Sequence, residues 1–75
     1  MRGITMRVRL KIKEVAQRQQ MSQYKLAKLS GVDENRLRTL YRNPYSIVTT
    51  ETLGKLAAAL NVDASELIEN VPDSE

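Results

Sequence analysis

Between Asp33 and Arg42 the chain reads Asp-Glu-Asn-Arg-Leu-Arg-Thr-Leu-Tyr-Arg, and Asn35, Arg38, Thr39 and Arg42 fall at i, i+3, i+4 and i+7. That spacing sets a carboxamide, two guanidinium groups and a hydroxyl on one helical face, with Leu37, Leu40 and Tyr41 on the opposite one. Outward Arg and Asn are how a helix presents hydrogen-bond donors to the edges of DNA bases. The preceding Gln23-Tyr24-Lys25-Leu26-Ala27-Lys28-Leu29-Ser30-Gly31-Val32 reads as a shorter helix ending in a glycine turn, so the two segments form helix, turn, helix.

Other chemistry has little to work with. The 75 residues include no Cys and no His, which removes thiolate nucleophiles, imidazole bases and the usual transition-metal ligands. Glu66 and Glu69, or Lys25 and Lys28, are spaced as surface helix pairs, and no glycine-rich loop is present to cradle a phosphate. No catalytic residue, metal ligand, cofactor or small-molecule effector is therefore assigned, and the chain is not expected to be an enzyme. A domain of this length buries only about 60% of the surface its unfolded chain exposes, which leaves little room for a cleft. The lack of Cys fits a reducing compartment. No apolar run approaches the roughly 20 residues of a spanning helix, and Met1 to Lys13 interleaves apolar residues with Arg and Lys, unlike a signal peptide. A cytoplasmic protein with no membrane partner is expected.

Charge is polarised along the sequence. Residues 1–42 carry eleven Lys and Arg against Glu14, Asp33 and Glu34, a net of +8, whereas residues 43–75 carry Lys55 against six acids, a net of −5. Such asymmetry suits one face that meets a polyanion and another that avoids it.

The elements that must position these groups follow from periodicity and caps. Val8, Leu10 and Ile12 alternate with Arg and Lys as in a half-buried strand, then Ile12, Val15 and Ala16 take up helical spacing, so the start is open between a short strand and an early helix. A first helix is placed at 11–19 behind an extended arm, residues 1–9. Ser22 caps a second helix, 23–30, which Gly31 terminates; Asp33 caps a third of about nine residues, ending near Arg42-Asn43-Pro44. Pro44 to Val48 is a loop, and Thr49 caps a fourth helix, 50–60, with Leu53, Leu56, Ala57 and Leu60 on one face. Asp63-Ala64-Ser65-Glu66 has the form of a capping box and predicts a short fifth helix whose Leu67, Ile68 and Val71 return to the core. Domain bounds of 10–71 and a frayed tail, 72–75, complete the expectation. Ala27 is small where the second and third helices should cross, and Val32 can plug the angle between them.

Gln23-x-x-Leu26-Ala27-x-x-x-Gly31-Val32, then Leu37 and Leu40, then Thr49-x-x-x-Leu53-x-x-Leu56-Ala57-x-x-Leu60-x-Val62-x-x-x-x-Leu67, resembles the phage-repressor and Cro-like helix-turn-helix family, also called the XRE family. The resemblance spans Ser22 to Ile68. It implies an all-α, compact five-helix, lambda-repressor-like domain that binds operator DNA, usually as a homodimer on a two-fold site, in a transcriptional regulator whose expected sense is repression. By the same resemblance the third helix enters the major groove and Gln23 grips a phosphate and braces that helix. Glu34, Asn35, Arg38 and Thr39 then fall where bases or neighbouring phosphates are reached. Asn35 suits adenine, Arg38 guanine O6 and N7, and Thr39 a thymine methyl or backbone oxygen. Arg42, Asn43, Tyr45 and Ser46 lie where the helix end and next loop pass the backbone, positions that orient the protein without specifying sequence.

Two departures stand out. Where relatives place an Arg in the first helix against a Glu late in the third, this chain has Ala16 and Tyr41, an aromatic over a small residue in place of a buried ion pair. Glu34 is an acid on the face that meets DNA, tolerable if it accepts from cytosine N4 or pairs with Arg38 at i+4. A dimer would need the arm, the fifth helix or DNA itself, and two strand-like arms could pair edge to edge. The alternative from another class is a protein-interaction module of the same fold, such as an antitoxin that binds its toxin; the basic third helix favours DNA.

Overall fold

The computed structural model describes residues 6–72. Strand β1 (Met6–Leu10) leads into four α-helices, α1 (Ile12–Arg18), α2 (Gln23–Ser30), α3 (Glu34–Arg42) and α4 (Thr50–Leu60). A 3₁₀ turn (Ala64–Leu67) and strand β2 (Ile68–Pro72) follow. The strands pair antiparallel, with Leu10 opposite Ile68, Arg9 opposite Glu69 and Arg7 opposite Val71.

Each helix is bounded by the residue types its backbone needs. Ser22 Oγ accepts from Lys25 N (3.1 Å), Asp33 Oδ2 from Asn35 N (3.0 Å) and Arg36 N (3.3 Å), and Thr49 Oγ1 from Thr52 N (3.1 Å). These bonds satisfy amides that have no partner within the first turn. At the C-termini Gly31 adopts φ 78° and donates its N–H to Ala27 O. In α1 and α4 the same left-handed position is held by Gln20 (φ 58°) and Asn61 (φ 57°). Met21 N reaches back to Ala16 O and Val62 N to Ala57 O, the six-to-one bond of a Schellman ending.

The core is built from the inner faces of β1, the four helices and the 3₁₀ turn, with Val32 from the α2–α3 turn. Leu10, Ile12, Val15, Ala16, Leu26, Ala27, Val32, Leu37, Leu40, Leu56, Ala57, Leu60 and Leu67 are all buried, and among the described residues no polar residue is buried with them. Ala27 and Val32, expected at the α2–α3 angle, are both buried members of this core. Leu53 and Val62 lie half-buried against this core. Gln19 Nε2 donates to Leu60 O at 2.7 Å, tying the ends of α1 and α4.

The all-α, five-helix expectation is corrected at both ends of the chain. Helix α1 is one residue shorter at each end than 11–19, and of the two readings left open for Val8, Leu10 and Ile12, the first two lie in a strand, Met6–Leu10, and Ile12 opens α1; Val8 is 51% exposed while Leu10 and Ile12 are buried. The fifth helix is replaced by a single 3₁₀ turn and a strand. Asp63 makes no side-chain cap; instead Glu66 N donates to Asp63 O, and Ile68 is already extended (φ −137°, ψ 157°). Backbone groups that a helix would satisfy internally are satisfied by β1, and Pro72 closes the segment where a helix interior could not hold it. Met6 to Arg9, assigned to an arm, and Pro72, assigned to a tail, thus pair with one another's strands; residues 1–5 and 73–75 lie outside the described residues. The edge that an arm would offer a second copy is occupied within the chain by β2, and on its other side Leu10 N donates to Pro44 O (2.7 Å).

Candidate nucleic-acid interface

Helix α3 is anchored from behind. Leu37 and Leu40 are 0% and 2% exposed, and Tyr41 is half-buried against the same core, which includes Ala16. Asn35, Arg38, Thr39 and Arg42 are all exposed on the front, so the structure brings these four expected residues onto one free surface. Within that surface Arg38 Nη1 donates to Asn35 Oδ1 at 2.9 Å, and Thr39 Oγ1 donates to Asn35 O at 3.2 Å. The ion pairs among the described residues are Arg9–Glu14, Arg9–Glu69 and Lys55–Glu51, so Arg38 and Arg42 are left with their charge uncompensated.

Of the two ways Glu34 could be accommodated, pairing with Arg38 is not the one seen, since Arg38 turns to Asn35 instead. Glu34 stands half-buried in the first turn of α3, one residue after the Asp33 cap, where a carboxylate meets the positive end of the helix dipole. Gln23 opens α2 directly after its Ser22 cap and is half-buried.

The remaining expected residues lie on a braced loop. Asn43 follows α3 in an extended conformation; its Oδ1 accepts from Tyr45 N (3.1 Å) and its carbonyl from Ser46 N (3.0 Å). The Leu10 to Pro44 bond fixes the same loop to β1, and the Arg36 guanidinium donates to Ile47 O from α3. Tyr45 and Ser46, with Val8, Leu10, Ile47, Val48, Leu53 and Ile68, line a groove without charge beside the loop. The Tyr45 ring also carries the Arg7 guanidinium 3.9 Å from its centroid.

Arg36 and Arg7 are the residues that periodicity passes over. Arg36 falls between the rear and front faces of α3, and its partner is a loop carbonyl, for which sequence has no signal. The alternation of β1 does put Arg7 and Arg9 on one side of the strand, but the ring that receives Arg7 lies nearly forty residues away.

Arg9 has a different role. It bridges Glu14 on α1 and Glu69 on β2, the latter at 2.8 Å, and these hydrogen bonds hold the guanidinium above its ordinary range. Partial burial works to raise the Glu14 carboxyl, yet the bond from Arg9, its own backbone amide and the charges of Arg9 and Lys13 bring it below the usual value. Burial alone pushes the Tyr41 phenol up.

Comparison with known proteins agrees with this geometry. The sequence pattern described as the Cro/C1-type HTH DNA-binding domain matches residues 11–73. Among solved structures, the crystal structure of transcriptional regulator VanUg (form II) is similar over 97% of this chain and 96% of that chain, at 24% sequence identity and a TM-score of 0.73. At that identity the likeness speaks for the fold. No curated protein matches this chain.

Proposed function

This chain belongs to the Cro/C1-type helix-turn-helix DNA-binding domains, and from that premise we propose that it is a sequence-specific transcriptional regulator, acting as a repressor, that lays α3 in the major groove. The observation that carries the reading is the division of α3 into a rear sealed by Leu37 and Leu40 and a front on which Asn35, Arg38, Thr39 and Arg42 are free. Asn35, Arg38 and Thr39 contact bases. Glu34 lies beside them and accepts from a cytosine N4 amine when one is in reach. Gln23, Arg42, Asn43, Tyr45 and Ser46 contact phosphates and fix the register, which suits the amount of bracing in the 43–47 loop. The protein binds as a homodimer assembled on a two-fold operator, each copy placing one α3 in successive major grooves.

A titration of labelled duplexes, random and selected from a pool, at several salt concentrations tests the reading. Phosphate contacts release counterions, so log affinity should fall linearly with log salt by about 0.9 per contact, and selected duplexes should bind roughly 10³-fold or more tightly than random ones. Binding that ignores salt, or no binding at low salt, overturns it.

A further inference from the structure

Two arginines on one side of β1 have opposite circumstances. Register sets Arg9 across from Glu69, and Glu14 approaches it from α1, so its charge is matched twice. Arg7 sits across from Val71, is exposed, and forms no ion pair among the described residues. Its guanidinium lies instead over the Tyr45 ring, 3.9 Å from the centroid. An aromatic partner holds a guanidinium through the ring's π-face and leaves its N–H donors, which point outward in the guanidinium plane, available to another acceptor. The platform itself is rigid: Pro44 O is bound by Leu10 N of the same strand, and Tyr45 N by Asn43 Oδ1 at the end of α3. An oriented, planar cation with no ion-pair partner among the described residues thus stands next to the loop that follows α3. Planar donors of this kind suit the paired oxygens of a phosphate.

We propose that Arg7, held on the Tyr45 ring, is a DNA phosphate-binding residue that the N-terminal strand contributes, gripping the backbone beyond the reach of α3. The inference rests on the DNA-binding reading above and extends its contact line from the helix-turn-helix unit to β1. Arg9, two residues away, takes no part in DNA contact and fastens the strand to the domain.

The test is the salt dependence of binding by the full chain. With a random-sequence duplex, Arg7→Gln should lower the slope of log affinity against log salt by about 0.9 per bound copy and weaken binding about tenfold. The loss should be alike on random and selected sequences, since a phosphate carries no base information. Tyr45→Phe keeps the ring and should keep the Arg7 contribution, whereas in a Tyr45→Ala background Arg7→Gln should cost measurably less than it does alone. Thermal melting of each variant establishes that it is folded. A folded Arg7→Gln protein with the wild-type slope and affinity overturns the inference and leaves the DNA reading standing. Equal cost of Arg7→Gln with and without the ring overturns the role of Tyr45 as its platform. A wild-type chain that binds no duplex overturns both readings together.

Discussion

Arg38 and Asn35, one turn apart on the exposed face of α3, are joined by a 2.9 Å hydrogen bond from Nη1 to Oδ1. Bidentate recognition of adenine needs both the amide oxygen and the amide nitrogen of an asparagine. Here the oxygen of Asn35 is already engaged by the neighbouring guanidinium, which orients the amide and must share or release it when a base arrives. On the proposed reading of α3, the two side chains should therefore act on DNA as one unit.

Removing either should relax base preference at the positions read, by about 1 to 3 kcal/mol of discrimination, and removing both should cost less than the sum. Competition of base-substituted duplexes against Asn35→Ala, Arg38→Ala and the double variant measures the coupling. Arg42→Ala should instead weaken all duplexes alike. Additive losses, or an Arg42 variant that changes base preference, would refute this division of labour.

Tyr41 gives a prediction about stability. Its hydroxyl is buried with no hydrogen-bond partner among the described residues, in the place where the family resemblance puts the acid of an ion pair. A buried polar group without a partner is costly, so Tyr41→Phe should stabilise the domain by about 1 kcal/mol in chemical denaturation at neutral pH. Burial raises the phenol pKa in the folded protein. The unfolded chain therefore releases this proton first as pH rises past about 10, folding then binds a proton, and the contribution of Tyr41 to stability falls with further rise. Tyr41→Phe should abolish that part of the alkaline loss.

Glu14 works at the other end of the pH scale. Its carboxyl is held below the ordinary glutamate value in the folded chain, so its contribution is present at neutral pH and is lost as pH falls through the ordinary range, about 4.3, and on through the lower folded value. Both partners are partly exposed and screened by solvent. Glu14→Gln should lower the melting temperature at pH 7, with a difference from wild type that shrinks on acidification. A constant difference across that range would place the contribution of Glu14 elsewhere than in its charge.

Much of the fold is legible because its signals are local. Ser22, Asp33 and Thr49 cap as their side-chain chemistry demands, Gly31 turns, and the apolar stripes of α3 and α4 face inward. The front face of α3 is legible for the same reason, being the complement of Leu37 and Leu40. What sequence misreads depends on contacts distant in the chain or on side-chain orientation. Asp63 and Glu66 carry the marks of a helix start, but Ile68 to Pro72 find an open strand edge in β1, and cross-strand bonds override the local preference. The bond of Arg38 to Asn35 in place of Glu34, and the seat of Arg7 on Tyr45, depend likewise on side-chain orientations or chain approaches that spacing does not encode.

Opposite signs are expected from two substitutions at equivalent helix ends. Gly31 has φ 78°, and a Cβ built there meets no atom within 4 Å, so Gly31→Ala should cost only the left-handed backbone strain of a non-glycine residue, about 1 kcal/mol. Gln20 holds the same region with φ 58° and already bears that strain at the end of α1. Gln20→Gly should relieve it, offset in part by the greater freedom glycine has in the unfolded chain, for a net gain of about 0.5 kcal/mol. Urea unfolding should show the midpoint moving down for Gly31→Ala and up for Gln20→Gly, with the slope unchanged in both. Midpoints that move in the same direction would mean that backbone strain does not govern these two turns.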